Sequence, residues 1–360
     1  MTTKASFTIR HHRCLDPAGN IEGCLPAFAE DGTALTPLYR SMVRLRRFDA
    51  KAVALQRTGR LGTYAVTLGQ EAIPIGVASA MRADDVLLPS YRDGGALLWR
   101  GVTMEELLLY WGGDERGSNF SASREDFPFS VPIASHCLHA VGVAYAMKQR
   151  REQRAAVCMI GDGATSNGAF YEAINAAGAW RAPAVFVISN NQWAISMPRS
   201  AQTAAETLAQ KAIAAGMPGE QVDGNDVIAV REVMAAALER ARRGDGPSVI
   251  EALTYRLGDH TTADDASRYR DPEVLKAAWA EEPIARLRAY LVDQGHWNEA
   301  DEKRLIGEID EEIEAAVACY LATPPQPVST MFDYLHAELP KSLEEQRQAA
   351  IDAASGGRHD

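Results

Sequence analysis

The sequence predicts an α/β fold with a mostly parallel sheet and helices on both of its faces. Short apolar segments alternate along most of the chain with longer segments of helical periodicity. The clearest apolar segments are residues 155–160 and 184–189, and the Ala-rich segment 167–180 between them is predicted to be a helix. Strands that are apolar along their whole length are typical of a parallel sheet buried on both sides.

The other elements continue this alternation. Strands are expected at residues 85–88 and 248–254, and polar loops at 113–130 and 258–269. Thr36 and Pro37 suit the N-cap and the first position of a helix that Gly59 ends. Further helices are expected at 70–81, 103–111, 134–149 and 227–242, within 271–318, and at 340–360, where the helix runs into a Gly-Gly tail.

Three parts are predicted along the chain. Residues 1–34 read as an irregular N-terminal arm because proline and glycine interrupt every periodic pattern. Residues 35–325 are expected to form the α/β domain, and residues 326–360 a C-terminal helical tail.

Composition and charge exclude several classes of function. The net charge is −11, which argues against nucleic acid and anionic membranes as partners of the whole chain. A local group of arginines, Arg40, Arg44, Arg46 and Arg47, is expected to be the solvated face of a helix. No apolar run is long enough to cross a bilayer, and the N-terminus lacks the apolar core of a secretion signal. The five cysteines form no C-x-x-C pair, so a reduced, cytoplasmic protein is expected.

Two short motifs carry the functional argument. Gly161-Asp162-Gly163 follows one apolar strand directly, and Asn190-Asn191 follows the next. A right-handed crossover brings both motifs to the same carboxyl edge of the sheet, where α/β proteins bind ligands. The Asp carboxylate and the Asn carbonyl are hard oxygen ligands that suit Mg²⁺. The glycines allow close backbone approach, and the following helix is expected to direct its N-terminal amides at an anion such as a diphosphate.

Either motif alone would be ordinary, since Gly-Asp-Gly is a common turn and Asn-Asn often ends a strand. Their combination resembles the motif of thiamine diphosphate enzymes, and the wider sequence resembles the α subunits of the E1 component of 2-oxo acid dehydrogenase complexes. The matching segments occur in the family's order over residues 35–345. They are Gly69-Gln70-Glu71-Ala72, Tyr91-Arg92-Asp93, Gly161-Asp162-Gly163-Ala164, Asn190-Asn191, Val222-Asp223-Gly224, Tyr255-Arg256, His260, Asp264-Asp265 and Tyr269-Arg270.

The resemblance implies a thiamine diphosphate-binding fold and a role for each matching residue. Asp162, Asn191 and the backbone carbonyl of Trp193 would bind Mg²⁺. The diphosphate would be bound by Tyr91, Arg92 and Arg256 and by the backbone around Gly161, Gly163 and Ala164. Ile133 would support the cofactor from below, and His260 would contact the diphosphate side and take part in catalysis.

Plain alternatives exist for three of these residues. Tyr91-Arg92 could be an exposed strand end, Ile133 could belong to the core, and His260 could be solvated in a loop with too little apolar material to order itself. One departure from the family stands at His136, where relatives usually carry Gln. Branched-chain relatives hold a structural potassium ion at this turn, so His136 puts that ion in doubt.

The family's chemistry also implies partners. Thiamine diphosphate acts as the electron sink when a 2-oxo acid loses CO₂. Its activation requires a glutamate on a second α/β domain, and the sequence leaves no room for one. We therefore expect the glutamate to come from an E1 β subunit in an α₂β₂ heterotetramer. The lipoyl group of an E2 acyltransferase would receive the acyl group.

Several functions compete with this interpretation. A single-chain thiamine decarboxylase would need the missing domain. A nicotinamide dehydrogenase would need G-x-G-x-x-G, and Ser166 stands where its final glycine should be. A non-catalytic binding subunit would not need an intact site. Within the family, Gly69-Gln70-Glu71-Ala72 and Tyr64-Ala65 favour pyruvate as the substrate, the loop 258–265 resembles branched-chain enzymes, and acetoin dehydrogenases share the same motifs.

Overall fold

The structure is a computed structural model that describes residues 2–356 of the chain. The strands of these residues are β1 (His11–His12), β2 (Val86–Leu88), β3 (Ala156–Gly161), β4 (Ala184–Asn190), β5 (Trp193–Ala194), β6 (Met197–Pro198), β7 (Gly219–Asp223) and β8 (Ser248–Leu253). Six of them form one sheet in the order β1-β7-β8-β4-β3-β2, and every neighbouring pair is parallel. The remaining two, β5 and β6, form an antiparallel hairpin. The predicted parallel α/β fold is confirmed.

The helices surround this sheet in chain order. They are α1 (Thr36–Arg57), α2 (Ala72–Ala80), α3 (Gly94–Trp99), α4 (Met104–Trp111), α5 (Ser135–Gln149), α6 (Gly168–Trp180), α7 (Arg199–Gln202), α8 (Lys211–Ala214), α9 (Val227–Arg242), α10 (Pro272–Trp279), α11 (Pro283–Asp293), α12 (Glu299–Ala322), α13 (Thr330–Asp333) and α14 (Lys341–Gly356). The helix predicted for residues 340–360 corresponds to α14, and residues 357–360 lie outside the described residues.

Both faces of the central strands are buried. Cys158 and Phe186 belong to one apolar cluster with the inner faces of α5 and α6. Val157 and Val187, which point to the other face, are also fully buried, and α9 packs against β4, β7 and β8. Since both faces exclude water, the strands are apolar at every position, which is why they were recognisable in the sequence.

The described chain divides into two compact units, one ending at Val317 and the other beginning at Ala318. The arm that was predicted to be irregular contributes β1 to the edge of the sheet. It is held there because the carboxylate of Asp226, which caps α9, also accepts hydrogen bonds from the amides of Cys14 and Leu15, both at 2.7 Å. The domain boundaries at residues 35 and 325 remain predictions.

The predicted N-cap of α1 was wrong. Leu35 occupies that position without a side-chain cap, and Thr36 is the first helical residue. The reason is that a 3₁₀ helix, Gly32–Ala34, leads directly into α1, and the Thr36 hydroxyl instead donates to the carbonyl of Gly32 at 3.3 Å.

The arginines of α1 are also not the solvated face that the sequence predicted. Arg40, Arg44 and Arg47 form ion pairs with carboxylates of the acidic helix α12, and Arg46 pairs with the buried Glu71 and with Glu282. The acidic partners on α12 are Glu308, Glu312 and Asp310. The long sequence separation hid this pairing.

Candidate active site at the carboxyl edge of the sheet

A cavity of about 710 Å³ lies where β3 and β4 end. Because Gly161 pairs with Ser189 in these neighbouring parallel strands, the two motifs meet at one sheet edge as predicted. All of the predicted site residues except Arg256 line this cavity. They are Tyr91, Arg92, Ile133, Gly161, Asp162, Gly163, Ala164, Asn191, Trp193 and His260.

The turn after β3 places Asp162 in the cavity wall. It continues as a 3₁₀ helix, Asp162–Ser166, and the Asp162 side chain is almost fully buried. Burial raises the pKa of this carboxyl group, although a hydrogen bond from Gln202 Nε2 at 2.9 Å opposes the shift. At Gly163 a Cβ atom would lie 2.7 Å from the Cβ of Ala194 in β5, so this position excludes larger residues.

The N-terminus of α6 does not contact the cavity, contrary to the sequence-based expectation. The 3₁₀ helix separates Gly163 from α6, and no residue of α6 lines the cavity among the residues described. The side chain of Asn167 caps α6 by accepting a hydrogen bond from the amide of Ala169 at 2.9 Å. Any anion in the cavity therefore meets the turn itself and not the end of the helix.

The two asparagines after β4 have different surroundings. Asn191 lines the cavity, and its Nδ2 donates to Oε1 of Gln70 at 2.8 Å, which directs the amide oxygen of Asn191 away from Gln70. Asn190 instead donates to the buried Glu251 at 2.6 Å. Gln70 and Gln202, which orient Asn191 and Asp162, were given no role by the sequence. Gln70 lay within a recognised motif, whereas nothing marked Gln202.

His260 faces two guanidinium groups. Its Nδ1 lies 3.2 Å from Nη2 of Arg92 and 3.4 Å from Nη1 of Arg256. Guanidinium groups only donate, so Nδ1 must accept and the neutral ring carries its hydrogen on Nε2. Burial, reinforced by the charges of Arg92 and Arg256, lowers the pKa of His260 to about 4. The imidazole is therefore neutral at physiological pH.

Arg256 is fully buried behind His260. Its Nη2 donates to the carbonyl of Ile195 at 2.8 Å and to the hydroxyl of Tyr269 at 2.7 Å. Burial, followed by the charge of Arg92, lowers the pKa of Arg256. In this structure Arg256 supports the cavity wall and does not line it.

Polar contacts, more than apolar burial, hold the loop that carries His260. The carboxylate of Asp264 accepts hydrogen bonds from the amide of His260 at 2.7 Å and from the hydroxyl of Tyr269 at 2.5 Å. Thr262 and Tyr64 exchange two further hydrogen bonds, at 3.0 and 3.1 Å. The low apolar content of this loop was thus a poor guide to how it is held.

The plain alternatives for three predicted residues do not match the structure. Arg92 is buried and hydrogen-bonded to the carbonyl of Val66 at 2.5 Å, so it is not an exposed strand end. Ile133 is 49% exposed and lines the cavity, so it does not belong to the core. His260 is hydrogen-bonded to both arginines and is not freely solvated.

The cavity offers polar groups suited to a magnesium diphosphate. Buried donors without partners are Gln70 Nε2, Trp193 Nε1 and Arg256 Nε, and the first two belong to cavity-lining residues. Among residues 2–356, no group of three or more His, Cys, Asp or Glu side chains could hold a metal by itself. Asp162 and Asn191 would therefore share a bound Mg²⁺ with phosphate oxygens, as this ion prefers.

His136 lies in the wall of the same cavity. Its Nε2 donates to the carbonyl of Met159 at 2.8 Å, its Nδ1 is buried without a partner, and burial lowers its pKa. The ring is therefore neutral, and the potassium ion of branched-chain relatives remains in doubt for this chain.

Comparison with known proteins identifies the family. Residues 39–329 match the family described as dehydrogenase E1 component. The chain is 42% identical over 336 residues to the pyruvate dehydrogenase E1 component subunit alpha of Staphylococcus epidermidis, an alignment that covers 92% of this chain and 90% of the relative. The Staphylococcus aureus protein of the same name is 41% identical over the same shares.

A relative with a different printed substrate is equally similar. The 3-methyl-2-oxobutanoate dehydrogenase subunit alpha of Mycobacterium tuberculosis is 45% identical over 314 residues, which cover 86% of this chain and 85% of the relative. The chain therefore belongs to the dehydrogenase E1 component family, as a 2-oxo acid dehydrogenase E1 α subunit.

Proposed function

We propose that this chain binds thiamine diphosphate through Mg²⁺ and decarboxylates a 2-oxo acid, pyruvate by preference, as the α subunit of an α₂β₂ E1. The observation that carries the proposal is the meeting of Asp162, Asn191, Arg92 and His260 in one cavity at adjacent strand ends. The cofactor-binding domain would span residues 35–325, between the arm 1–34 and the tail 326–360.

Each residue has a defined task in this proposal. Asp162, Asn191 and the carbonyl of Trp193 hold the metal. The diphosphate is bound by Tyr91, Arg92, Arg256 and the backbone of Gly161, Gly163 and Ala164, and Ile133 supports the cofactor's rings. The bound cofactor supplies the electron sink for decarboxylation. His260, neutral and hydrogenated on Nε2, acts as a hydrogen-bond donor and not as an acid.

Two observations support a β subunit that completes the site. No glutamate lines the cavity within the described part of the chain, and the sheet inventory of that part holds one six-stranded sheet and one hairpin. The required glutamate must then come from outside. Val131, Ile133 and Ile195 line the cavity yet are 52%, 49% and 59% exposed, so they offer an apolar surface for a partner to cover.

The branched-chain 2-oxo acid is the second candidate substrate, because a relative of that name is 45% identical. Acetoin is the third. We also propose a cytoplasmic location and transfer of the acyl group to a lipoyl group of E2. The five cysteines are free, which suits a reducing compartment. Within residues 2–356, no helix is both long and apolar enough for a membrane span.

Activity of the reconstituted enzyme tests the proposal. The chain alone and the chain co-expressed with its β subunit would be assayed for decarboxylation, with Mg²⁺, thiamine diphosphate and an electron-accepting dye. Activity with both subunits and none with this chain alone is expected. Strong activity of the chain alone would contradict the partner assignment, and no activity with any 2-oxo acid would contradict the proposed reaction. The ratio of kcat/KM for pyruvate to that for 3-methyl-2-oxobutanoate decides the substrate.

A further inference from the structure

Lys211, at the start of α8, is a buried cation without a carboxylate partner. The residue is 7% exposed, and its Nζ donates to the carbonyl of Thr165 at 2.7 Å and to the hydroxyl of Thr165 at 2.9 Å. Nζ also lies 5.2 Å from the centre of the Tyr171 ring. In the part of the chain that the structure describes, no carboxylate forms an ion pair with Lys211.

Such an arrangement is unfavourable unless something compensates the charge. A buried ammonium group loses its hydration, and two neutral oxygens replace that hydration only in part. Lysine also differs from an apolar residue of similar length only by this charge and its hydrogen bonds. The position of Lys211 therefore indicates that a negative group comes close to it in the working protein.

The contacts of Lys211 lead to the turn at the cavity. Thr165 is fully buried, and its hydroxyl donates to the carbonyl of Asp162 at 2.8 Å while accepting from Lys211. The carbonyl of Asp162 and the amide of Gly163 belong to the same peptide group. A hydrogen bond to that carbonyl polarises the peptide and strengthens its N–H group as a donor.

We propose that Lys211 is a positioning residue for the diphosphate. It fixes the turn 162–166 through Thr165, strengthens the amide of Gly163, and places a buried positive charge behind the diphosphate-binding turn. This inference rests on the proposed function, since it assumes that a diphosphate occupies the cavity.

Variants of the α/β assembly test this role. Calorimetry would compare thiamine diphosphate with thiamine monophosphate, both with Mg²⁺, for the wild type, Lys211→Met, Lys211→Arg and the matched surface control Lys276→Met. We expect Lys211→Met to weaken thiamine diphosphate binding by roughly 10- to 100-fold, and monophosphate binding by less than about threefold, because only the diphosphate brings the extra charge. Lys211→Arg should restore most of the loss, and Lys276, which is exposed, should have no effect.

A second variant keeps the test decisive if Lys211→Met does not fold. Thr165→Val removes the hydroxyl that links Lys211 to Asp162 while keeping the side-chain shape, and should weaken thiamine diphosphate binding by about five- to tenfold. Equal losses for both ligands in Lys211→Met, or no loss in Thr165→Val, would overturn the inference and leave the proposed function intact. A wild-type assembly that fails to bind thiamine diphosphate would overturn both.

Discussion

Two groups of cationic side chains in this protein differ in what they face. On α1, Arg40, Arg44 and Arg47 each pair with a carboxylate of α12. At the cavity, Arg92 and Arg256 donate to carbonyl oxygens, to the imidazole of His260 and, for Arg256, to the Tyr269 hydroxyl. Lys211 behind the turn has only Thr165 oxygens.

The comparison separates charges that stabilise the fold from charges that are kept for a ligand. A carboxylate neutralises its partner in place, so the α1–α12 pairs leave no net field. Carbonyl and hydroxyl oxygens satisfy hydrogen bonds but leave the positive charge uncompensated. The cavity therefore remains electropositive, which favours an anion such as a diphosphate.

The largest effect is expected at the cavity carboxylate. Asp162→Asn should weaken thiamine diphosphate binding in the presence of Mg²⁺ by at least about 100-fold, because it removes the anionic ligand of the metal. Glu308→Gln on α12 is the matched control and should leave binding unchanged. Calorimetry on both variants measures the difference, and similar affinities for the two variants would break the comparison.

Removal of an arginine gives the next largest effect. Arg92→Gln should weaken cofactor binding by about 2–3 kcal/mol, because a charge-assisted contact to phosphate is lost. Arg40→Gln should not change binding and should lower the free energy of unfolding by at most about 1 kcal/mol. Calorimetry and urea unfolding of each variant separate the two roles. Equal changes in stability with equal binding would argue against a ligand role for Arg92.

The pH dependence of stability reports on His260. Its pKa of about 4 lies below the unfolded value of about 6.5, so the unfolded chain binds the proton first as the pH falls. Stability should decrease as the pH falls through this window, by about 1–2 kcal/mol more at pH 5 than in His260→Gln, after allowance for solvent screening. Urea unfolding at pH 7 and pH 5 measures this. An identical loss in both proteins would mean that His260 is not held neutral.

The smallest effect concerns one of the outer ion pairs. A double-mutant cycle of Arg44→Gln and Glu312→Gln should give a coupling of at most about 1 kcal/mol, and this coupling should shrink in 0.5 M salt. Urea unfolding at two salt concentrations provides the values. A large coupling that salt does not reduce would place this pair among the buried, binding-type charges and so contradict the comparison.

Local patterns made the central part of the fold predictable. The strands β3 and β4 and the helix α6 between them were found because burial on both faces requires unbroken apolar runs. The strand β7 (Gly219–Asp223) was missed because it is short and mostly polar. Helix α3 (Gly94–Trp99) was missed because two glycines begin it.

The site was predictable where its residues follow strands. Asp162 and Asn191 could be placed because topology fixes where a strand ends. Gln202, Lys211 and the acidic partners on α12 could not be placed, because each acts on a residue far away in the sequence. Side-chain contacts across such distances leave no periodic signal.

Calorimetric titration of the wild-type α/β assembly with thiamine diphosphate tests the central claim most directly. The titration would be made with Mg²⁺ and with a chelator, and NAD⁺ would serve as a second ligand of similar phosphate content. We expect saturable binding of thiamine diphosphate that weakens by at least about tenfold without Mg²⁺, and no binding of NAD⁺. Binding that does not depend on the metal, or preferential binding of NAD⁺, would contradict the account of the cavity as a magnesium diphosphate site.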